Sequence, residues 1–313
     1  MLSRTADHLY WMSRYLERAV NLARMIDAHQ RLALLPRSPE AVRQGWQATL
    51  VSLGMDGAYE QRYGAVTPRA AFNFLAFDRE HPGSILQCVR SARENARAVR
   101  GTITSDMWET LNETYLDSAS FNSTMPESAR GDFLEWVKYR AHLTRGITSG
   151  TLLRDEAAHF THIGTFLERA DNTTRMLEAR WRDPGGRGER LLEEASEWAV
   201  LLRAMSAFEV FRRLYRDSVT PLRVTQMLLM RDDLPQGVHR CLSELRANLA
   251  AVANEQSSET LRRVGELHAQ FQFGRFEELC AEGVPWFLDR FQARLRDLGQ
   301  RIANDFLVPS GTY

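Results

Sequence analysis

The chain carries one set of polar residues twice, at a spacing that places the set on one face of a helix. The two rows are Glu17, Asn21 and Arg24, and Glu168, Asn172 and Arg175. Positions i, i+4 and i+7 share a helix face. A glutamate there can act as a general acid or base, and arginines can bind a carboxylate through two hydrogen bonds. Glu17 and Glu168 are therefore candidates for catalysis, and the other four residues are candidates for ligand binding.

Three interpretations of the two rows are compatible with the residues alone. In the first, each row is a solvated helix face whose charges contribute little free energy. In the second, the rows meet in the interior, where Glu17 pairs with Arg175 and Glu168 pairs with Arg24, so that buried ion pairs hold two parts of the chain in register. In the third, the rows line a polar cleft that binds a peptide or an amino acid through its carboxylate.

A second group of charges lies in the segment SARENARAVR. Arg93 and Arg97 share a helix face, with Asn95 between them and Arg90 and Arg100 at the neighbouring turns. Cations this close repel one another unless carboxylates or a bound anion neutralise them. Acidic neighbours such as the glutamates of the two rows can supply that charge, or the group can form an anion site. Arg93, Asn95 and Arg97 are further candidates for ligand binding.

The sequence lacks the motifs of several other kinds of functional site. Lys138 is the only lysine and no GxxxxGK segment occurs, so the chain has no P-loop for ATP. Glu156, His159 and His162 could mimic the Glu-x-x-His metal sites of helical bundles, but Trp11 stands where His8 would need a second histidine, and the carboxylates do not fall into the pattern. No GxSxG nucleophile elbow occurs either. We predict no metal and no cofactor.

The repetition extends far beyond the two rows. YLERAVNLARMIDA (15–28) matches FLERADNTTRMLEA (166–179), VTP occurs at 66–68 and again at 219–221, and the segment 74–99 matches 227–252. The offset changes only from 151 to 153 along these segments, which indicates a tandem duplication. We predict two helical repeats, 1–150 and 151–313, packed as one compact unit with pseudo-two-fold symmetry. The rows persist although Val20 is replaced by Asp171, which argues against a merely solvated face.

Apolar residues predict that the repeated elements are helices. From Leu9 to Ile26 they recur at steps of three and four, the period of an amphipathic helix. No segment alternates between apolar and polar residues as a strand does, so the predicted fold is an all-α helical bundle. GITSGT (146–151) is expected to bend a long helical stretch before the second row, and DPGGRGER (183–190) is expected to form a loop.

Composition and net charge limit the partners and the cellular compartment that we expect for the protein. The 313 residues are 44% hydrophobic and 26% charged, as in a globular protein, and the formal net charge is zero. Zero net charge argues against nucleic acid or an anionic membrane as the main partner. The sequence contains no secretory signal and no apolar run near the ~20 residues of a membrane span, and its three cysteines form no disulfide or zinc pattern. We therefore predict a cytoplasmic protein.

The segments YLERA, FLERAD, FLAFDREHPGSI, ARENARAVR and WETLNETY resemble the bacterial alpha-E family, helical proteins named for a glutamate-containing helix. The resemblance covers essentially the whole chain. It implies an all-α fold and association with a circularly permuted ATP-grasp ligase, here acting in trans, and with a transglutaminase-like peptidase of the same gene cluster. Glu17 and Glu168 match the family's glutamate helix, and Arg93, Asn95 and Arg97 match its arginine-rich helix. The resemblance implies no catalytic residue.

The function expected from these features is that of a non-catalytic or co-catalytic partner, which helps the ligase to hold a peptide or amino-acid substrate. One alternative is a stand-alone, amidotransferase-like enzyme of peptide or amide metabolism, with Glu17 or Glu168 as general base. That enzyme needs a glutamate with a raised pKa and no arginine partner. A further alternative is a purely structural scaffold.

Overall fold

The computed structural model of the chain describes residues 1–182, 191–216 and 218–308, and every regular element in these ranges is a helix. The predicted all-α fold is confirmed. The loop predicted at 183–190 lies outside the described residues.

The described ranges contain fifteen α-helices and one 3-10 turn at Glu127–Ala129. In chain order the helices are α1 (Ser3–Leu32), α2 (Pro39–Leu53), α3 (Asp56–Tyr63), α4 (Pro68–Phe77), α5 (Ile85–Ala98), α6 (Ser105–Ser118), α7 (Arg130–Thr151), α8 (Glu156–Arg182), α9 (Leu191–Ala204), α10 (Phe208–Leu214), α11 (Pro221–Met230), α12 (Val238–Ala251), α13 (Ser258–Phe273), α14 (Phe276–Leu279) and α15 (Val284–Phe306).

The two rows lie on α1 and α8, which pack side by side and run in the same direction. The amino group of Met1 lies 2.6 Å from the Glu156 carboxylate at one end of the pair. One cavity at the other end is lined by Met25 of α1 and Met176 of α8. Since each contact joins residues about 151 positions apart, the two helices are parallel and in register.

Gly164 allows this close approach. A Cβ at Gly164 would lie 2.3 Å from the carbonyl oxygen of Tyr10 and 2.2 Å from the hydroxyl of Ser13, both on α1. Such distances are shorter than any van der Waals contact, so a side chain at this position would push the helices apart. The absence of a side chain at Gly164 therefore brings the backbones close enough for the polar rows to meet.

Several local structures recur at matching positions. Thr67 and Thr220 each precede a proline and cap the following helix, accepting hydrogen bonds from the amides of Ala70 and Arg223. His8 of α1 bonds Asn95 of α5, and His159 of α8 bonds Asn248 of α12, both at 2.8 Å. These matched contacts are what a duplication would produce. The duplication, its symmetry and the boundary at 150–151 stay predictions.

The helices around α1 and α8 complete the bundle. One apolar cluster joins α1 and α8 to α9, α11, α12, α13 and α15, and a second joins α1 to α2, α4, α5 and α7. The bend expected at 146–151 comes later in the chain, because α7 is continuous to Thr151 and the chain leaves the helix only at residues 152–155. Within the described ranges, no helix has both the length and the apolar character needed to cross a membrane.

Candidate ligand-binding site

Both rows are inside the protein. Glu17 and Arg24 are each 4% exposed, and Glu168 is 1% exposed. Asn21 and Asn172 are also buried, while Arg175 is half-buried. The interpretation of the rows as solvated helix faces is therefore wrong, and ionised groups at this depth need partners.

Each glutamate is paired with an arginine of the other long helix. Arg169 Nη2 donates to Glu17 Oε1 at 2.7 Å, and Arg18 Nε donates to Glu168 Oε1 at 2.7 Å. The expected pairing with Arg175 and Arg24 is wrong. Because α1 and α8 are parallel and in register, the residue next to one glutamate faces the other, whereas a residue seven positions on lies roughly 10 Å farther along the axis.

A second arginine reaches each glutamate from a different direction. Arg145 of α7 donates from Nε to Glu17 at 2.8 Å. Arg14 of α1 donates from Nε to Glu168 at 2.7 Å and from Nη1 to the hydroxyl of Tyr10 at 2.9 Å. The two glutamates thus each bind two guanidinium groups, but the second comes from a third helix only at Glu17.

These pairs set the ionisation of both carboxyl groups. Burial alone would raise the pKa of Glu17, but Arg145 and Arg169 outweigh it and lower the pKa to about 2. At Glu168 burial is likewise outweighed, and Arg18 with Arg14 holds the pKa well below its usual range. Both groups are ionised at neutral pH and are weak bases. Neither meets the requirement of a glutamate general base for a raised pKa without an arginine partner.

Arg24 differs from its aligned residue Arg175. Arg175 Nε donates to Asp171 at 2.7 Å, and its Nη1 donates to the carbonyl oxygen of Ser52. Val20 stands where Asp171 would be, and the buried Nε of Arg24 has no hydrogen-bond partner in the described part of the chain. Burial, with Arg145 and Arg169 nearby, lowers the pKa of Arg24 to about 10, so the group stays charged at neutral pH.

The surroundings of Glu17 therefore carry surplus positive charge. Three guanidinium groups, those of Arg24, Arg145 and Arg169, act on this single carboxylate. Glu244 also acts on Arg169, but it forms its own ion pair with Arg240. At Glu168 the corresponding groups are Arg14 and Arg18. A buried excess of this kind attracts an anion.

A cavity of about 190 Å³ opens beside Glu17, between α1, α7 and α8. Arg145 and Arg169 line it together with Glu17. The rest of the wall combines hydroxyl groups and apolar side chains. The hydroxyl residues are Ser13, Thr144, Thr148, Ser149, Thr161 and Thr165, and the apolar residues are Met12, Leu16, Leu111 and Phe166, with His162 beside them.

The aligned surface beside Glu168 is filled by larger side chains. In the predicted repeat, Tyr10 aligns with Thr161, Trp11 with His162 and Arg14 with Thr165. Tyr10 and Trp11 pack edge to face with ring centres 5.4 Å apart, and the Arg14 guanidinium lies 5.0 Å from the Trp11 ring. This packing occupies the space that the smaller residues of α8 leave open on the other side.

Three other cavities lie elsewhere. One of about 40 Å³ lies between α1, α2, α8 and α9, and two of about 260 and 280 Å³ lie along α13 and α15. Glu168, Arg14 and Arg18 line none of these four cavities. Of these four cavities, only the one beside Glu17 adjoins one of the buried carboxylates of the two rows.

The arginine-rich segment of α5 lies apart from this cavity. Arg93 and Arg97 form ion pairs with Glu94 at 2.6 and 2.8 Å, and Asn95 bonds His8. The acidic partner is thus a neighbour on the same helix and not Glu17 or Glu168. Arg93, Asn95 and Arg97 do not line the cavity, and their role in ligand binding stays a prediction.

The four ligand-binding candidates of the rows do not line the cavity either. Asn21 donates to the sulfur of Met25 at 3.5 Å, and the buried Nδ2 of Asn172 has no partner among the described residues. Within the same ranges, no group of three or more His, Cys, Asp and Glu side chains is placed to hold a metal ion.

Apart from Glu17, the residues that line the cavity were not among the candidates from the sequence. The recurrence of Arg18 as Arg169, directly after each glutamate, is a signal for the crossed ion pairs. Threonines recur every four residues at Thr144 and Thr148, and this is a weaker signal for a polar helix face. Arg145 gives no signal of this kind.

A family model now accounts for the repeated glutamate and arginine. The Alpha-E model, described as a predicted alpha-helical domain with a conserved ER motif, matches residues 1–307. The chain belongs to the Alpha-E family. Its long helices each contain the Glu-Arg dipeptide, at 17–18 and at 168–169, and each glutamate binds the arginine of the other dipeptide. In this Alpha-E protein, the dipeptides thus join the two helices.

Relatives include an uncharacterised protein of Mycobacterium bovis and uncharacterised proteins of two strains of Mycobacterium tuberculosis. Each is 25% identical to this chain over 339 residues, an alignment that covers 98% of this chain and 37% of the relative. The chain therefore spans less than two fifths of the length of these relatives. No solved structure matches the chain.

Proposed function

We propose that this Alpha-E protein is a non-catalytic partner of an ATP-grasp amide or peptide ligase, and that it binds a carboxylate-bearing peptide or amino acid for that enzyme. The observation that carries the proposal is the cavity beside Glu17, where Arg145 and Arg169 form part of the wall. Arg24, which does not line the cavity, adds a third positive charge that acts on Glu17.

One lining arginine has a donor to spare. The Nε of Arg169 is buried and makes no hydrogen bond among the described residues, whereas the Nη2 of Arg145 lies 2.7 Å from Glu17 Oε1. A ligand carboxylate would accept from Arg169 Nε beside the charge of Arg145, and a hydrogen bond to a charged group is worth about 1.5–3 kcal/mol. Glu17 holds the two guanidinium groups in place, so they need little reorganisation on binding.

The stand-alone enzyme is less well supported. A general base must take up a proton near neutral pH, whereas arginines hold the pKa of Glu17 at about 2. The pKa of Glu168 is likewise lowered by its arginine partners, and Glu168 lines none of the cavities described above. The purely structural alternative accounts for the paired Glu168 but not for the surplus charge and cavity at Glu17.

The ligase is proposed because the chain contains no P-loop lysine and belongs to the Alpha-E family. The family resemblance implies a circularly permuted ATP-grasp ligase in trans, with a transglutaminase-like peptidase of the same gene cluster as a further partner. In this arrangement the ligase supplies ATP chemistry, and the Alpha-E protein supplies the carboxylate site.

Reconstitution tests this proposal. The ligase of the same gene cluster is purified, and its ATP-dependent amide formation is measured with and without the Alpha-E protein. We expect that the wild-type chain co-purifies with the ligase and raises product formation, and that Arg145→Gln lowers the product while co-purification persists. Arg301→Gln is the matched control, since Arg301 lies on α15 and pairs with Asp297 at the surface. Unchanged ligase output in the absence of the chain would contradict the proposal.

A further inference from the structure

Five of the six hydroxyl groups of the cavity are arranged as acceptors, and the sixth belongs to the exposed Ser149. Thr144, Thr148, Thr161 and Thr165 each donate their hydroxyl hydrogen to the backbone carbonyl four residues earlier, at 2.8–2.9 Å. Ser13 donates in the same way to the carbonyl of Tyr10 at 2.9 Å. A hydroxyl has a single hydrogen, so each of these groups offers only oxygen lone pairs to a ligand.

Apart from Thr144, which directly precedes Arg145, these acceptors lie to one side of the arginines. Thr165 precedes Arg169 by one turn of α8, which is about 6 Å along the axis. On α7, Thr148 follows Arg145 by three residues, about 4.5 Å along the axis. Lys138 contacts Asp27 and Arg145 contacts Glu17, so α7 runs antiparallel to α1 and therefore to α8. Both displacements thus point the same way. The cavity therefore has a donor end at the arginines and an acceptor end at the threonines.

The remaining wall is apolar. Met12 and Leu16 of α1, Leu111 of α6 and Phe166 of α8 contribute hydrocarbon surface to the cavity. A ligand that fills it gains from removing apolar area from water, about 25 cal/mol per Å². The cavity thus presents three kinds of surface to one small molecule.

We infer that the ligand is a free α-amino acid with an apolar side chain, a conclusion that rests on the proposed carboxylate site. The carboxylate binds Arg145 and Arg169, the ammonium group donates to Thr148 and Thr165, and the side chain packs on the apolar wall. An ammonium group has three donors and no acceptor, which suits a wall of lone pairs.

The same geometry disfavours the carboxyl terminus of a peptide. In a peptide, the nitrogen beside the terminal residue is an amide with one hydrogen, and its neighbouring carbonyl oxygen is a further acceptor. Placed against hydroxyls that have already used their hydrogens, this carbonyl would meet only lone pairs and lose its hydrogen bonds to water. The acceptor end therefore selects free amino acids over N-acylated ones.

Calorimetric titration of the full chain tests the inference. The probes are L-leucine, L-methionine and L-phenylalanine, each compared with its N-acetyl derivative. We expect at least one free amino acid to bind about tenfold or more tightly than its N-acetyl form, the ratio for one lost charged hydrogen bond. Thr165→Val and Thr148→Val should each lower the affinity for that amino acid about tenfold and leave the weak N-acetyl binding unchanged.

Thr151→Val is the matched control, because Thr151 makes the same bond to the carbonyl four residues earlier but lies at the exposed end of α7. Equal binding of free and N-acetyl forms would overturn the inference and leave the carboxylate site standing. Binding that is unaffected by both cavity substitutions would overturn it as well. If no probe of either kind binds the folded wild-type chain, both the inference and the proposed function are wrong.

Discussion

The surroundings of Glu17 and Glu168 show how one helix pair can form both a closed contact and an open site. Each glutamate binds two arginines, one of them from the opposite Glu-Arg dipeptide. Around Glu168, the side chains of Tyr10, Trp11 and Arg14 fill the space beside the carboxylate. Around Glu17, small residues leave a cavity, and the charges do not balance. A few changes of side-chain size and charge thus separate a structural contact from a candidate site.

The largest difference is expected when each carboxylate is removed. Glu168→Gln should cost about 3–5 kcal/mol of unfolding free energy, because the half-buried Arg14 and Arg18 lose the carboxylate that they share. Glu17→Gln should cost less, at the lower end of this range and about 3 kcal/mol, since the cavity lets water and anions reach Arg145 and Arg169. Urea denaturation of both variants measures the difference. If Glu17→Gln lowers the unfolding free energy as much as Glu168→Gln does, the proposed difference between the surroundings of the two glutamates is wrong.

Lowering the pH should show how much the ionised Glu17 contributes to the free energy of unfolding. The pKa of Glu17 is lowered from an ordinary 4.5 to about 2, so its ion pairs stabilise the native state fully above pH 4.5. That stability, about 3 kcal/mol for such a shift, is lost as the pH falls from 4.5 through 2, where the folded state also takes up the proton. Urea denaturation at several pH values should show a shallower loss in Glu17→Gln than in the wild type. Equal slopes in the two proteins would contradict the assignment.

Filling the cavity should make the surroundings of Glu17 resemble those of Glu168, where large side chains occupy the space beside the carboxylate. Thr165→Arg places at residue 165 the side chain that Arg14 has in the aligned position. We expect at least a tenfold loss of affinity, about 1.4 kcal/mol, for the tightest-binding amino acid of the calorimetric panel. Thr151→Arg introduces the same side chain at the exposed end of α7 and should leave the affinity unchanged. Retained binding in folded Thr165→Arg protein would place the ligand elsewhere.

Neutralising Arg24 should have the smallest effect. Val20→Asp supplies the carboxylate that Asp171 provides to Arg175 four residues later. Because Arg24 does not line the cavity, its charge acts on a ligand only at a distance, and the affinity should fall about fivefold, or roughly 1 kcal/mol. Titration of Val51→Asp, a change on the exposed part of α2, gives the control. Tighter ligand binding in Val20→Asp would contradict the role given to the surplus charge.

Sequence reasoning predicted the class of fold and the burial of the rows, because helical periodicity and repeated polar residues are local signals. It failed at Arg175, since the partner of Glu17 depends on the parallel register of two helices, which no local pattern records. It also placed the bend at Gly146 and Gly150, where α7 continues and a Cβ would meet only open space. Arg145 reaches Glu17 only through packing of a third helix.

A crystal structure with 4-bromobenzoate tests the central claim most directly, because bromine marks a small carboxylate by its anomalous scattering. The account predicts one bromine peak in the cavity between α1, α7 and α8, with the carboxylate bound to Arg145 and Arg169, and none beside Arg14 and Arg18. An empty cavity at saturating ligand, or equal peaks beside both glutamates, would contradict it.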